Sequence, residues 1–83
     1  METLRKKILY KATHRGTKEA DRLIGGFAIS EVSSLNEELL NEFDLLLDVP
    51  DVDLVNWVLE REPASREYNN NILQRIKIFK ESL

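Results

Sequence analysis

Apolar residues recur three and four positions apart over most of this chain, and apolar–polar alternation is nowhere sustained. A helix gathers such positions onto one face because its faces repeat every ~3.6 residues, whereas a half-buried strand needs a period of about 2. The pattern predicts an all-α fold. Five stripes can be followed. The first, over about residues 2–13, carries Leu4, Ile8 and Ala12. The second, about 18–29, carries Ala20, Leu23, Ile24, Phe27 and Ala28 in the spacing of an amphipathic helix. The third, about 35–48, carries Leu35, Leu39, Leu40, Phe43, Leu46 and Leu47. A fourth covers about 52–60, with Leu54, Val58 and the lone Trp57, and a fifth about 66–81, with Tyr68, Ile72, Ile76 and Phe79.

Turn chemistry separates the stripes: Gly16-Thr17, then Ser30 to Ser34, Val49-Pro50-Asp51, and Glu62-Pro63-Ala64-Ser65. Ser34 followed by Glu37 reads as a capping box opening the third helix. Pro50 stops that helix, and Asp51 reads as the cap of the fourth. Links this short imply antiparallel neighbours, so the expectation is one compact five-helix bundle spanning residues 1–83.

A domain of 83 residues buries only ~60% of the surface its unfolded chain exposes. Its thin core leaves little room for a large cofactor, and none is expected to be held stably. The absence of cysteine removes disulfides, thiolate nucleophiles and cysteine-based metal sites together. His14 is the only histidine and no calcium-loop spacing is present, so no metal site is expected. The longest all-aliphatic run, Leu45-Leu46-Leu47, falls far short of the ~18 residues of a membrane span. The start, Met1-Glu2-Thr3-Leu4-Arg5-Lys6-Lys7, is basic and amphipathic and could mimic a mitochondrial presequence. With no residues to spare ahead of it, it reads instead as the first structural helix, and a bacterial cytoplasmic location is expected over a mitochondrial matrix.

The net charge of −3 hides a strong polarity. Residues 1–22 carry seven Lys/Arg against three Asp/Glu, residues 31–62 one against ten, and residues 63–83 four against two. The acidic middle would be repelled by nucleic acid and by anionic lipid, so neither is expected as a partner. A protein partner is expected, and a monomer when free.

The densest constellation is the first turn, His14-Arg15-Gly16-Thr17-Lys18-Glu19. Much of it is helix grammar. Gly16 suits a left-handed C′ position, Thr17 an N-cap, and Glu19 and Asp21 the positive end of the second helix. That grammar does not explain His14 and Arg15 beside them. An imidazole, a guanidinium and a carboxylate at a helix start can receive an anionic group, the guanidinium in bidentate fashion. Alternatively, Arg15 and Glu19 simply pair on the surface. Asp51 and Asp53 diverge on a helix and are not expected to form an acid–base dyad. Gly25-Gly26 inside the second helix admits two readings: a helix that bends or ends early, or close approach of another backbone.

Taken together, these residues resemble the FAD assembly factors, or flavinylation factors, of succinate dehydrogenase. The basic first helix, Arg5-Lys6-Lys7-Ile8-Leu9-Tyr10, leads into an Arg-Gly-x-x-Glu signature at Arg15-Gly16-Thr17-Lys18-Glu19, followed by Asp21. Phe43-x-x-Leu46-Leu47 and Asp51-x-Asp53-Leu54-x-x-Trp57 follow in the family's order, so the likeness covers about residues 4–60. Gly26 departs from it, since that position is often Arg or Pro in the family. The resemblance implies a five-helix bundle that binds the flavoprotein subunit of succinate dehydrogenase, and in some bacteria the fumarate reductase flavoprotein. It implies help in attaching FAD covalently to a histidine of that partner. It also places Arg15, Gly16 and Glu19 in the functional turn, with His14 and Asp21 beside it and Asp51 and Asp53 on the same partner-binding surface. The reacting groups would belong to the partner and its FAD, so the chain is expected to act by docking rather than as an enzyme. A helical adaptor with a different partner is the alternative. A phosphate-ester hydrolase using His14 with Asp21, and a nucleic-acid hairpin using helix one, are weaker readings.

Overall fold

The computed structural model describes residues 2–83, so Met1 of the basic start lies outside the described residues. Among these there are five helices and no strand. Helix α1 is Glu2–Thr13. Helix α2 runs continuously over 18–31 in three parts: α-helical Lys18–Ala20, a π-helical turn Asp21–Gly25, and α-helical Gly26–Glu31. A 3₁₀ turn, Val32–Ser34, leads towards α3, Glu37–Leu46. Helix α4 is Asp51–Val58; a second 3₁₀ turn, Arg66–Tyr68, precedes α5, Asn71–Lys80.

The five stripes turn inward onto one cluster that includes Ile8, Ile24, Leu40, Leu46, Leu54 and Ile76, all fully buried. Phe27 of α2 links three helices within it. Its ring meets Phe43 of α3 and Phe79 of α5 edge to face, at centroid separations of 5.5 and 5.8 Å. Such aromatic pairs are worth about 0.5–1.5 kcal/mol beyond their buried area. No polar side chain is buried among the described residues. The core is therefore purely apolar, and directional contacts lie around it.

Helix starts differ from the sequence expectation where a side chain had better use elsewhere. Ser34 does not open α3. Leu35 is buried with extended backbone (φ −81°, ψ 139°), and the cap passes to Asn36, whose Oδ1 accepts from Leu39 N at 2.9 Å. Ser34 Oγ instead donates to the Glu31 carbonyl. Asp51 is the first residue of α4 rather than its cap; Pro50 precedes the helix without a side-chain cap. The fifth helix starts at Asn71, not near 66. Asn70 caps it by accepting from Leu73 N at 3.0 Å, and the Glu42 carboxylate of α3 accepts from Asn71 N at 2.9 Å. The separate turn carries Tyr68 to within 6.0 Å of the Trp57 ring. Helix α4 ends because Glu60 takes a left-handed φ of 59°, with Arg61 N donating back to the Asn56 carbonyl at 2.9 Å. That is the helix-ending geometry usually given to glycine.

Gly25 and Gly26 do not end the second helix. Gly26 N donates to the Asp21 carbonyl five residues back, which defines the π turn. The two glycines then differ. A Cβ on Gly25 would lie 3.1 Å from the Ala12 carbonyl oxygen and 3.4 Å from Thr13 Cα, so Gly25 marks close approach of the α1 backbone. A Cβ on Gly26 would meet only the Phe79 ring, at 3.5–3.6 Å, an ordinary contact. Gly26→Ala is therefore expected to raise stability by up to about 1 kcal/mol through helix propensity. Gly25→Ala gains the same propensity but must displace backbone, at a cost of about 1–3 kcal/mol, and is expected to lower stability. Urea denaturation of the two variants checks this; equal effects would refute the assigned close approach.

Candidate functional site: a turn locked by Arg15

Helix α1 ends at Thr13, and Gly16 reverses the chain with φ +99°. Thr17 caps α2 as its sequence suggests, its hydroxyl oxygen accepting from Ala20 N at 3.1 Å. Asp21, one turn into α2, reaches back and accepts from the Arg15 backbone N at 3.0 Å. The turn is thus held from its own two ends.

Arg15 ties it to the rest of the protein. Its Nε donates to Asp51 Oδ1 at 2.6 Å, Nη1 to the Leu47 carbonyl at 2.7 Å and Nη2 to the Val49 carbonyl at 2.7 Å. The side chain is only 9% exposed. Leu47 and Val49 follow the end of α3, where carbonyls lack helical partners. A guanidinium suits this place because it presents donors in a planar fork and carries the charge that a helix C-terminus favours. Arg15 does not pair with Glu19, which corrects the expected surface alternative. Glu19 is exposed and lies 3.8 Å from Arg61, a contact of little energy.

The sequence candidates thus divide. Arg15, Asp21 and Asp51 make the hydrogen bonds that hold the corner, Asp21 from an exposed position. His14, Gly16, Glu19 and Asp53 are exposed. Asp53 makes no side-chain hydrogen bond or ion pair among the described residues and diverges from Asp51. The His14 ring stacks on Tyr10, centroids 4.0 Å apart, with Nδ1 2.8 Å from the Tyr10 carbonyl oxygen. His14 and Asp21 are not hydrogen-bonded to each other, so the dyad considered for a hydrolase does not form. Beside the turn, Thr17, Glu19, Asp51, Val52, Asn56 and Arg61 help to line a shallow hollow of about 190 Å³, and Val52 on its wall is 72% exposed.

Two features of this region escaped the sequence reading. The Leu47 and Val49 carbonyls are backbone groups and carry no residue-type signal. The second is a clamp between α1 and α3: Lys11 lies 2.9 Å from Asp44 and 3.2 Å from Asp48, and Lys7 3.2 Å from Asp44. Its signal was present in the basic first helix and the acidic middle. Partial burial works against ionisation of Asp44, but hydrogen bonds and charge from Lys11 and Lys7 outweigh it and hold the carboxyl below its ordinary range. Burial likewise opposes the Lys11 charge, and Asp44 and Asp48 outweigh it, raising the Lys11 value.

Family membership follows from comparison with known proteins. Fold and corner together define a small helical-bundle domain that presents one rigid turn. The chain belongs to the family described as flavinator of succinate dehydrogenase, whose family model matches residues 6–80. It is 38% identical over 77 residues to "Succinate dehydrogenase assembly factor 2, mitochondrial" of Dictyostelium discoideum, covering 93% of this chain and 55% of that protein. It is 35% identical over 72 residues to "FAD assembly factor SdhE" of Acetobacter pasteurianus, covering 87% of this chain and 66% of that protein. A Cryptococcus neoformans protein, also named succinate dehydrogenase assembly factor 2, is 35% identical over 92% of this chain and 44% of its own length. The chain thus spans about half to two thirds of the curated relatives it matches.

Arg15→Ala is expected to lower unfolding free energy by about 2–4 kcal/mol, because it strands Asp51 and two carbonyls that the guanidinium satisfies. Arg15→Lys restores the charge but not the fork, so it should recover only part of that loss in a urea titration. For Asp44 the lowered folded value means that its stabilisation is present above the unfolded value of about 3.9 and is lost as pH falls through the folded one. The stability difference between wild type and Asp44→Asn should therefore shrink between about pH 5 and pH 2. A difference independent of pH would rule out the clamp as its source.

Proposed function

We propose that this chain is an assembly factor that docks on the flavoprotein subunit of succinate dehydrogenase and promotes covalent attachment of FAD to a histidine of that subunit. The fumarate reductase flavoprotein is a second client. The chain acts as a monomer in the bacterial cytoplasm, retains no cofactor and catalyses no bond-making step itself. The observation that carries this reading is the family match across residues 6–80, which contains the whole locked turn. The names of the relatives, which speak of FAD assembly and of succinate dehydrogenase assembly, support it.

The geometry suggests a division of labour at the turn. Gly16 offers backbone to the partner without a side chain, and a Cβ there would meet nothing of this chain within 4 Å. Glu19 is exposed, and its long contact to Arg61 is easily exchanged for a partner group. Asp53 adds an exposed carboxylate on α4. Arg15, Asp21 and Asp51 keep this surface in one shape, so little ordering entropy is spent on docking. Binding of a rigid turn to one arrangement of the immature flavoprotein shifts its population towards alignment of histidine and flavin.

The test uses the purified flavoprotein subunit with FAD, following flavin that stays attached after denaturation. Wild-type chain is expected to raise incorporation. Glu19→Lys should reduce docking and incorporation about tenfold, as a reversed charge at an interface does, with only a small fall in the urea midpoint from the lost carboxylate in the first turn of α2. Arg15→Ala should lose docking and stability together. Wild-type incorporation with both variants would refute the turn as the docking element, and failure of the wild-type chain to bind either flavoprotein would favour an adaptor role with another partner.

A further inference from the structure

His14 is held more specifically than an exposed histidine needs to be. Its Nδ1 lies 2.8 Å from the Tyr10 carbonyl oxygen, which can only accept a hydrogen bond. The second neighbour of Nδ1, Thr13 Oγ1 at 3.1 Å, donates its own proton to the Leu9 carbonyl at 2.8 Å and so is also an acceptor here. Both contacts require the proton on Nδ1. In the neutral ring that leaves Nε2 with a bare lone pair, opposite to the tautomer that predominates in free histidine. Stacking on Tyr10 with 22° between the ring planes fixes the direction of that lone pair. Nε2 has no hydrogen-bond partner among the described residues, and the side chain is exposed.

Gly16, two residues on, borders open space. The nearby cations Lys11 and Arg15 are already paired, with Asp44 and Asp48 and with Asp51. Resting on the docking reading above, we propose that His14 is a docking residue held as the Nδ1–H tautomer, its Nε2 accepting a hydrogen bond from an N–H or O–H donor on the flavoprotein. The imidazole then acts as a pre-aimed acceptor beside Gly16, and no new bond or proton transfer is involved.

Two measurements test this. In the free, isotope-labelled protein, with the imidazole neutral, multiple-bond proton–nitrogen correlation spectra should show a protonated Nδ1 and an unprotonated Nε2; the reverse pattern overturns the assignment. Binding to the purified succinate dehydrogenase flavoprotein subunit is then compared for wild type, His14→Gln, His14→Asn and His14→Ala, with thermal midpoints to confirm folding. Gln carries an amide oxygen out to the position of Nε2, whereas Asn reaches only that of Nδ1. Gln should stay near wild type, and Asn and Ala should lose about 3- to 10-fold in affinity, the worth of one neutral hydrogen bond. If His14 merely closes the end of α1, the order reverses: Asn keeps affinity and Gln loses it, which overturns the proposal. Equal affinity for all four overturns it too. Absence of wild-type binding would remove the docking reading itself, a result distinct from any failure of the tautomer.

Discussion

The whole corner between α1 and α2 depends on one guanidinium. Arg15 joins the α1–α2 turn to the end of α3 and the start of α4 through three short hydrogen bonds. The core is apolar, and this nearly buried charge makes three of the long-range polar contacts around it. The arrangement is favourable because every group that loses water finds a partner: Asp51 balances the charge, and the Leu47 and Val49 carbonyls, left over from a helix end, gain donors. Removing the arginine would leave all three oxygens short of a donor. The exposed positions Gly16 and Glu19 are therefore set by a contact made behind them.

The charge asymmetry of the sequence has a similar explanation. Basic α1 and the acidic middle meet within the fold through Lys7, Lys11, Asp44 and Asp48. Arg15 and Asp51 extend that line of pairing to the turn. Much of the polarity that looked like a message to a partner is thus spent on holding α1 against α3 and α4. What is left outward includes Glu19, Asp53, Glu62 and the exposed start of α3, Glu37 and Glu38. That remainder, together with the shape of the turn, is what the domain presents to its surroundings.

The stripes and the turn signals were legible because burial periodicity and turn chemistry are local. Phe27, Phe43 and Ile72 lie in the core as their spacing requires, and Gly16 and Thr17 do what their residue types do best. The boundaries were less legible. Ser34 and Asn36 are both good caps, and burial of Leu35 chose between them. Asp51 is a good cap in isolation, but Arg15 outbids the helix start for its carboxylate. The two readings of Gly25-Gly26 could not be separated until α1 was seen against one glycine and Phe79 against the other.

The sequence by itself determined the helical class, the order of the helices, the corner where candidate residues gather and, through its likeness to a family, the kind of partner to look for. Only the tertiary structure decided which of those residues face outward and which are tied into the corner. An arginine beside an exposed glycine reads the same in either role. Its direction depends on carbonyls and a carboxylate 32 to 36 residues away, and backbone acceptors leave no mark in a sequence. The same holds for His14: its position was visible at once, but the proton on Nδ1, and so the acceptor it offers, follows from the Tyr10 carbonyl that the helix end brings to it.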